Sequence, residues 1–226
     1  CVGLVHALYA LSGKYATKST LASEAGRIEV DILLRAMGKQ DHFASAYGDL
    51  NIFTFNSDES VVIEPVFYTN EVRSSLERNL MLFYTGLKRD ASEVLESQDK
   101  ATHTKRAVLA KMRDLVNPLR DVLSGNQDMR RFGEISHEGW LLKKSITNDI
   151  SNTQIDNYYE KSLRAGAIGG KLLGAGGGGF LLLYVEPENQ VKVTRALKEL
   201  FCLDVRLDAG GTRITYYDQD SIEQRL

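Results

Sequence analysis

The sequence predicts an α+β fold in two lobes, on three observations. Strand patterns at 51–66 and 79–86 come first, a long helical stretch at 101–167 follows, and strand, helix and alternating segments return at 180–217, an order that segregates helices from an antiparallel sheet. Four consecutive glycines at 176–179 lead straight into Phe180-Leu-Leu-Leu-Tyr-Val185, a continuous apolar run with the length of a buried strand. At 226 residues, 43% apolar and 26% charged, the chain is long enough to bury a real core. The boundary between lobes is expected near 66–79, giving lobes at 1–72 and 73–226.

In chain order, residues 1–11 read at once as a helix with Leu4, Ala7, Leu8 and Leu11 on one face. No cap precedes it, so the element is expected to start upstream. Residues 19–35 continue as helix, with Ser19 or Thr20 as N-cap and Glu29 near its end. Gly38 breaks that helix, and Asp41 opens the next. A carboxylate there serves as a cap, worth on the order of 1 kcal/mol, or as a held anion available for chemistry. Residues 51–55 and 61–66 form a hairpin across 56–60.

Residues 79–86 are a strand ending in Thr85-Gly86, and Lys88-Arg89 begin a helix. That succession suits an anion, though two solvated cations would look the same. His103 to Leu123 forms a helix kinked or broken at Pro118, Met129 to Lys144 a second around Phe132, Ile135, Trp140 and Leu141, and 155–167 a third. His103 and His137 lack a second ligand at metal spacing and read as surface or packing residues. A turn at 186–189, a helix over 191–201 and a hairpin about Ala209-Gly-Gly211 close the chain.

The charge balance excludes several classes. A formal charge of −2 and a pI near 6.1 argue against nucleic acid as a partner, and no apolar run is long enough for a membrane span. Cys1 and Cys202 lie far apart without metal spacing, which fits a reducing cytoplasm. The glycine run permits close backbone approach and leaves amides available to an anion, but a tight turn without a ligand would use the same residues.

Three separated stretches together carry more than any one of them. Lys171-Leu-Leu-Gly-Ala-Gly-Gly-Gly-Gly179, Gly38-Lys-Gln-Asp-His-Phe-Ala-Ser-Ala-Tyr-Gly48 with Ile28-Glu-Val-Asp31 ahead of it, and Leu82-Phe-Tyr-Thr-Gly86 resemble the sugar-kinase branch of the GHMP kinases. Within that superfamily the second and third look most like the D-glycero-D-manno-heptose phosphate kinases. The resemblance implies a ribosomal protein S5 domain 2-like N-terminal lobe, here incomplete, and a ferredoxin-like C-terminal lobe with added helices. It implies ATP and Mg²⁺ as cofactors, a sugar or sugar phosphate as substrate, and a cytoplasmic location; oligomeric state is not legible.

Residue by residue, Asp41 falls at the family's catalytic aspartate and Glu29 at its Mg²⁺ ligand. Gly174, Ala175, Gly176, Gly177 and Gly178 correspond to the loop against the nucleotide phosphates, and Gln40, Thr85, Gly86 and Arg89 are substrate-binding candidates. Arg89 would grip a substrate phosphate, because a guanidinium recognises phosphate in a fork. His42 stands where an amide is expected, which would alter contacts to the sugar, and Asp49 where a glycine is expected, which concerns the turn alone. The family's Gly- and Ser-rich phosphate loop is not among these 226 residues, so the chain is expected to be the C-terminal part of a longer kinase with little activity by itself. A non-catalytic binding paralogue and a fucose- or galactose-type kinase are the competing readings.

Overall fold

The computed structural model describes residues 1–87 and 91–218. The chain forms two compact units, Cys1–Pro65 with the chain from Asp208 onward, and Val66–Leu207. The first division therefore falls between Pro65 and Val66, ahead of the expected boundary, and the chain returns to the first unit at Asp208.

The first unit contains helices α1 (Val2–Leu11) and α2 (Lys18–Gly26), a π-helical turn (Arg27–Ile32), α3 (Gln40–Tyr47), and strands β1 (Asn51–Phe55) and β2 (Val61–Pro65), which pair antiparallel as a hairpin. Thr17, not Ser19 or Thr20, caps α2, accepting from the Thr20 N–H. The helix expected to run on to residue 35 widens after Gly26, where the Leu33 N–H reaches the Ile28 carbonyl five residues back. Such wider turns recur at functional sites.

Val2, Val5, Leu21, Ala22, Ala25, Phe43 and Ala46 form this unit's core. The α1 face named from spacing points the other way: Leu4 is 65% exposed, with Leu8 and Leu11 also exposed, because Val2 and Val5 take the seat against α2. The expected hairpin about Ala209-Gly-Gly211 is absent among the described residues. Its polar groups are spent on the turn after α3. Asp49 N–H donates to the Asp208 carbonyl at 2.6 Å, and Lys18 Nζ donates to the carbonyls of Tyr47 and Gly210. A Cβ on Gly48 would lie 2.1 Å from the Gly211 nitrogen, so these two backbones meet where only glycine fits. Asp49 sits at φ +55, a left-handed conformation that aspartate tolerates in place of the expected glycine.

In the second unit a four-stranded antiparallel sheet runs in the order β4-β5-β3-β6. Its strands are β3 (Leu80–Tyr84), β4 (Gly169–Leu172), β5 (Phe180–Tyr184) and β6 (Phe201–Leu203). The helices are α4 (Asn70–Asn79), α5 (Ala91–Thr102), α6 (Arg106–Asp114), α7 (Val116–Leu123), α8 (Arg130–Lys144), α9 (Thr153–Arg164) and α10 (Pro187–Ala196). The sheet interior and the helices bury Phe83, Val94, Trp140, Ile150, Ile155, Leu172, Leu181, Leu183 and Val193 in one core.

α4, β4 and β6 escaped the sequence patterns, β6 lying where the helix over 191–201 was expected to end. α4 is too polar to show an apolar stripe, and β4 opens with two glycines. Those glycines are what let β4 press onto α8: a Cβ on Gly169 would sit 2.1 Å from the Gly133 carbonyl oxygen. The 186–189 turn is instead the start of α10, with Glu186 as N-cap and Pro187 in the first turn, where its missing N–H costs nothing. Pro118 sits for the same reason in the first turn of α7, and the break expected at the proline falls at Leu115, which joins α6 to α7. Among the described residues no helix is long and apolar enough to cross a membrane.

Candidate functional site

The glycine segment is the turn of the β4–β5 hairpin. Leu173 N–H donates to the Phe180 carbonyl at its base, and the chain between is held from three sides. From β3, Thr85 donates both its N–H and its hydroxyl to the Gly179 carbonyl, at 2.9 and 2.8 Å, and the Leu87 carbonyl accepts the Gly179 N–H. From the loop before α9, the Ile150 carbonyl accepts the Gly177 N–H at 2.9 Å, and Asn152 Nδ2 donates to the Gly177 carbonyl. From α5 and α8, Gln98 Nε2 donates to the Ala175 carbonyl and Lys143 Nζ to the Gly174 carbonyl.

Thr85, Asn152, Gln98 and Lys143 take carbonyls, and the N–H groups that are taken are those of Gly177 and Gly179, by Ile150 and Leu87. Among the described residues, the amides of Gly174, Ala175, Gly176 and Gly178 have no hydrogen-bond partner. Gly174 is exposed and the other three are partly exposed, so this part of the loop reaches the surface, where unpartnered amides suit an anion. Gly177 differs from its neighbours: it is buried and its N–H is spent on Ile150. Left-handed angles at Gly174 and Gly177 (φ +78 and +75) make the winding possible.

Thr85 and Gly86, named as substrate contacts, abut this loop. Thr85 is buried and its hydroxyl is committed to Gly179, while Gly86, at φ +70, faces open space. Arg89 lies outside the described residues. Asn152 has two duties, because its Oδ1 also caps α9 by accepting from Gln154 and Ile155. Asn152→Ala should cost about 1 kcal/mol as a lost cap. It should also loosen Gly177, read as faster hydrogen exchange of the Gly177 amide in NMR spectra.

In the first unit, Asp41 is exposed in the first turn of α3, just after Gln40, and makes no capping bond. The bland alternative raised from sequence, an aspartate N-cap, is therefore not what is built: Lys39 holds the N-cap position. His42, one residue on, is buried at 3% exposure and brings α3 onto the π-helical turn, its Nε2 lying 2.7 Å from Glu29 Oε2. His42 thus faces the interior of the unit, correcting the expectation that it touches a sugar. With Nε2 donating, its Nδ1 is buried without a partner among the described residues. The His42 hydrogen bond, followed by the charges of His42 and Arg35, holds the Glu29 carboxyl below the usual glutamate range.

Both Glu29 oxygens are engaged, Oε2 by His42 and Oε1 by Arg35 at 3.1 Å. The Arg35 contact is exposed and cheap to exchange, so Oε1 fits a single-carboxylate contact to a hard cation that keeps most of its waters. Among the described residues no cluster of three or more acidic, histidine or cysteine side chains forms a metal cage. His137 packs, stacking on Tyr159 with Nδ1 2.8 Å from the phenol oxygen.

Residues 118–201 match the family model described as GHMP kinases C terminal. D-glycero-alpha-D-manno-heptose 7-phosphate kinase of Campylobacter jejuni is 28% identical over 188 residues, covering 79% of this chain and 53% of that protein. Among solved structures, a D-glycero-D-manno-heptose 1-phosphate kinase from Bacteroides thetaiotaomicron aligns over 94% of this chain and 60% of its own at TM-score 0.61 and 24% identity. Lactococcus lactis galactokinase complexed with galactose aligns over 94% of this chain and 65% of its own at TM-score 0.69 and 15% identity. The chain spans about half the length of the Campylobacter relative. Residues 118–201 thus match the C-terminal domain of the GHMP kinases, and the mixed helix-and-sheet fold is that of the solved kinase structures it resembles.

Proposed function

We propose that this chain is the C-terminal part of an ATP-dependent sugar kinase that phosphorylates the anomeric hydroxyl of D-glycero-D-manno-heptose 7-phosphate. The observation that carries the reading is the row of amides at Gly174, Ala175, Gly176 and Gly178, unpartnered among the described residues, a cradle for phosphate oxygens in which Lys143 and Gln98 hold the Gly174 and Ala175 carbonyls. Phosphoryl transfer needs little covalent help from the protein, so positioning and charge stabilisation are the tasks to assign.

In this reading the sugar hydroxyl oxygen attacks the γ-phosphorus, the bond to ADP breaks, and the hydroxyl proton passes to Asp41. Its exposed carboxylate in the first turn of α3 has no competing capping bond. The loop amides donate to the oxygens of the transferring group. Glu29, oriented by His42, would hold Mg²⁺, which supplies positive charge against the phosphate oxygens when bound. Gln40, Gly86 and Arg89 contact the sugar and its phosphate, while Thr85 positions the loop. The Campylobacter relative favours the heptose substrate over fucose or galactose. A cytoplasmic location fits two free cysteines.

The test is ATP consumption by the full-length natural protein with heptose 7-phosphate, unphosphorylated heptose, fucose and galactose. Turnover confined to the phosphorylated heptose is the expected result. Preference for galactose or fucose would move the substrate within the family, and inertness toward every sugar would favour a non-catalytic binding role.

A further inference from the structure

α3 carries Asp41 in its first turn, and that turn lacks the usual fastening. Lys39 holds the N-cap position and gives the helix no side-chain bond. The first helical bond, from the Phe43 N–H to the Lys39 carbonyl, is long at 3.3 Å, whereas at the other end the Gly48 N–H reaches the Ala44 carbonyl at 2.9 Å. Burial of Phe43 and Ala46 secures the body of the helix. An uncapped first turn frays readily, so the beginning of α3 needs another hold.

His42 is placed to supply it. The ring is 3% exposed, and its Nε2 lies 2.7 Å from Glu29 Oε2 on the π-helical turn. Its other nitrogen lies by Gly26, the last residue of α2, where a Cβ would come within 3.8 Å of Nδ1 and 3.5 Å of Lys39 Cγ. Nδ1 has no hydrogen-bond partner among the described residues, so the contact with Glu29 is the polar contact that accounts for burying the imidazole. A half-satisfied buried ring is costly, and an apolar side chain of similar size would fill the space at less cost. The compensation is a bond to a carboxylate, one of the stronger kinds, made between the element that bears Glu29 and the one that bears Asp41.

We propose that His42 is a positioning residue for Asp41: its bond to Glu29 fixes the first turn of α3 against the π-helical turn, and so sets the place of the Asp41 carboxylate relative to that of Glu29. The proposal rests on the reading of Asp41 as the acceptor of the sugar's proton. Catalytic groups must be held within about 0.5 Å of the productive geometry, and a misplacement of about 1 Å costs about 10²-fold in rate. His42 itself touches no substrate. It acts through Glu29 Oε2 and leaves Oε1 to the exposed Arg35 contact.

Two variants of the full-length protein separate the bond from the bulk. His42→Leu fills the space without a donor, and His42→Gln carries an amide N–H with about the reach of Nε2. Amide hydrogen exchange reads the hold directly. In His42→Leu the Phe43 amide should exchange about tenfold faster, the loss of one bond to a charged group, with Gly48 unchanged. His42→Gln should restore the protection of Phe43. Glu29→Ala should speed Phe43 by the same factor, and adding His42→Leu to it should do nothing more, because the two residues act as a pair. In steady-state kinetics His42→Leu should lower kcat by about 10²-fold with the sugar KM changed less than about threefold, and His42→Gln should recover to within about fivefold of the parent. Thermal melting checks that each variant is folded. Phe43 exchange as slow in His42→Leu as in the parent, no recovery in His42→Gln, or an unaltered kcat in His42→Leu would each overturn the proposal. A parent inert toward every sugar would overturn the kinase reading and with it the task of Asp41, while the exchange comparison would still decide whether His42 fixes the turn.

Discussion

Asp41→Asn should lower kcat for the sugar by about 10²–10⁴-fold, the usual contribution of a positioned general base. It should change KM little, because Asn keeps the shape and the hydrogen-bonding reach of the side chain and removes only the capacity to take a proton. What makes the prediction sharp is the way α3 begins. Asp41 lies in the first turn, exposed, with no backbone N–H bonded to its carboxylate among the described residues and Lys39 at the cap position. Among the described residues its charge has a favourable interaction with the helix dipole, worth about 0.3–1 kcal/mol at an exposed site, and no hydrogen bond or ion pair. The thermal midpoint should therefore move by no more than a few degrees while turnover collapses. Steady-state kinetics of the full-length protein beside a melting curve checks both. A variant that keeps its rate would remove Asp41 from the chemistry, and one that unfolds would assign it a structural duty that the geometry does not show.

Within the glycine loop, Gly178→Ala should cost about 2–4 kcal/mol of stability and Gly174→Ala about 1–2 kcal/mol. Both glycines belong to the same loop, and sequence does not distinguish them. At Gly178 the added Cβ would lie 2.3 Å from the Leu87 carbonyl oxygen and 2.8 Å from its carbon. Those are backbone atoms, and the same oxygen accepts the Gly179 N–H, so it cannot turn aside without opening the contact between β3's end and the loop. At Gly174 the Cβ would meet nothing within 4 Å, and only the left-handed backbone, φ +78, is strained. Urea denaturation of the two variants against the parent gives the comparison. Equal losses would mean that the loop yields as a body and that Leu87 is not its stop.

How the chain would read without coordinates differs from element to element. The hairpin at 51–65, β5, and helices α8 and α9 were legible because each has a strong period or an uninterrupted apolar run set off by turn residues. The glycine loop's place at the edge of a sheet followed from the apolar run behind it. Glu29 and Asp41 were singled out as a candidate pair by resemblance alone, since neither spacing nor composition separates a proton-accepting aspartate from a capping one.

The failures share one physical cause, which is that contacts distant in sequence override local preference. Leu4, Leu8 and Leu11 form a sound helical stripe, yet Val2 and Val5 are the residues that meet α2. Residues 204–217 alternate as a hairpin should, but the Ala209-Gly-Gly211 turn is taken by the backbone after α3 at Gly48. The two residues that most shape the site were unremarkable in the sequence. Asn152, which no sequence pattern singled out, caps α9 and also holds Gly177; His42, expected to alter contacts to the sugar, instead orients Glu29 from the interior.

The sequence by itself determined that this is an α+β chain with a glycine loop feeding a buried strand and an aspartate opening a helix, because periodicity, turn chemistry and capping act over a few neighbouring residues. Only the tertiary structure decided which loop amides remain without partners. That depends on Ile150 taking the Gly177 N–H and Leu87 that of Gly179, while Gln98 and Lys143 hold only carbonyls, groups that meet the loop only once the chain has folded.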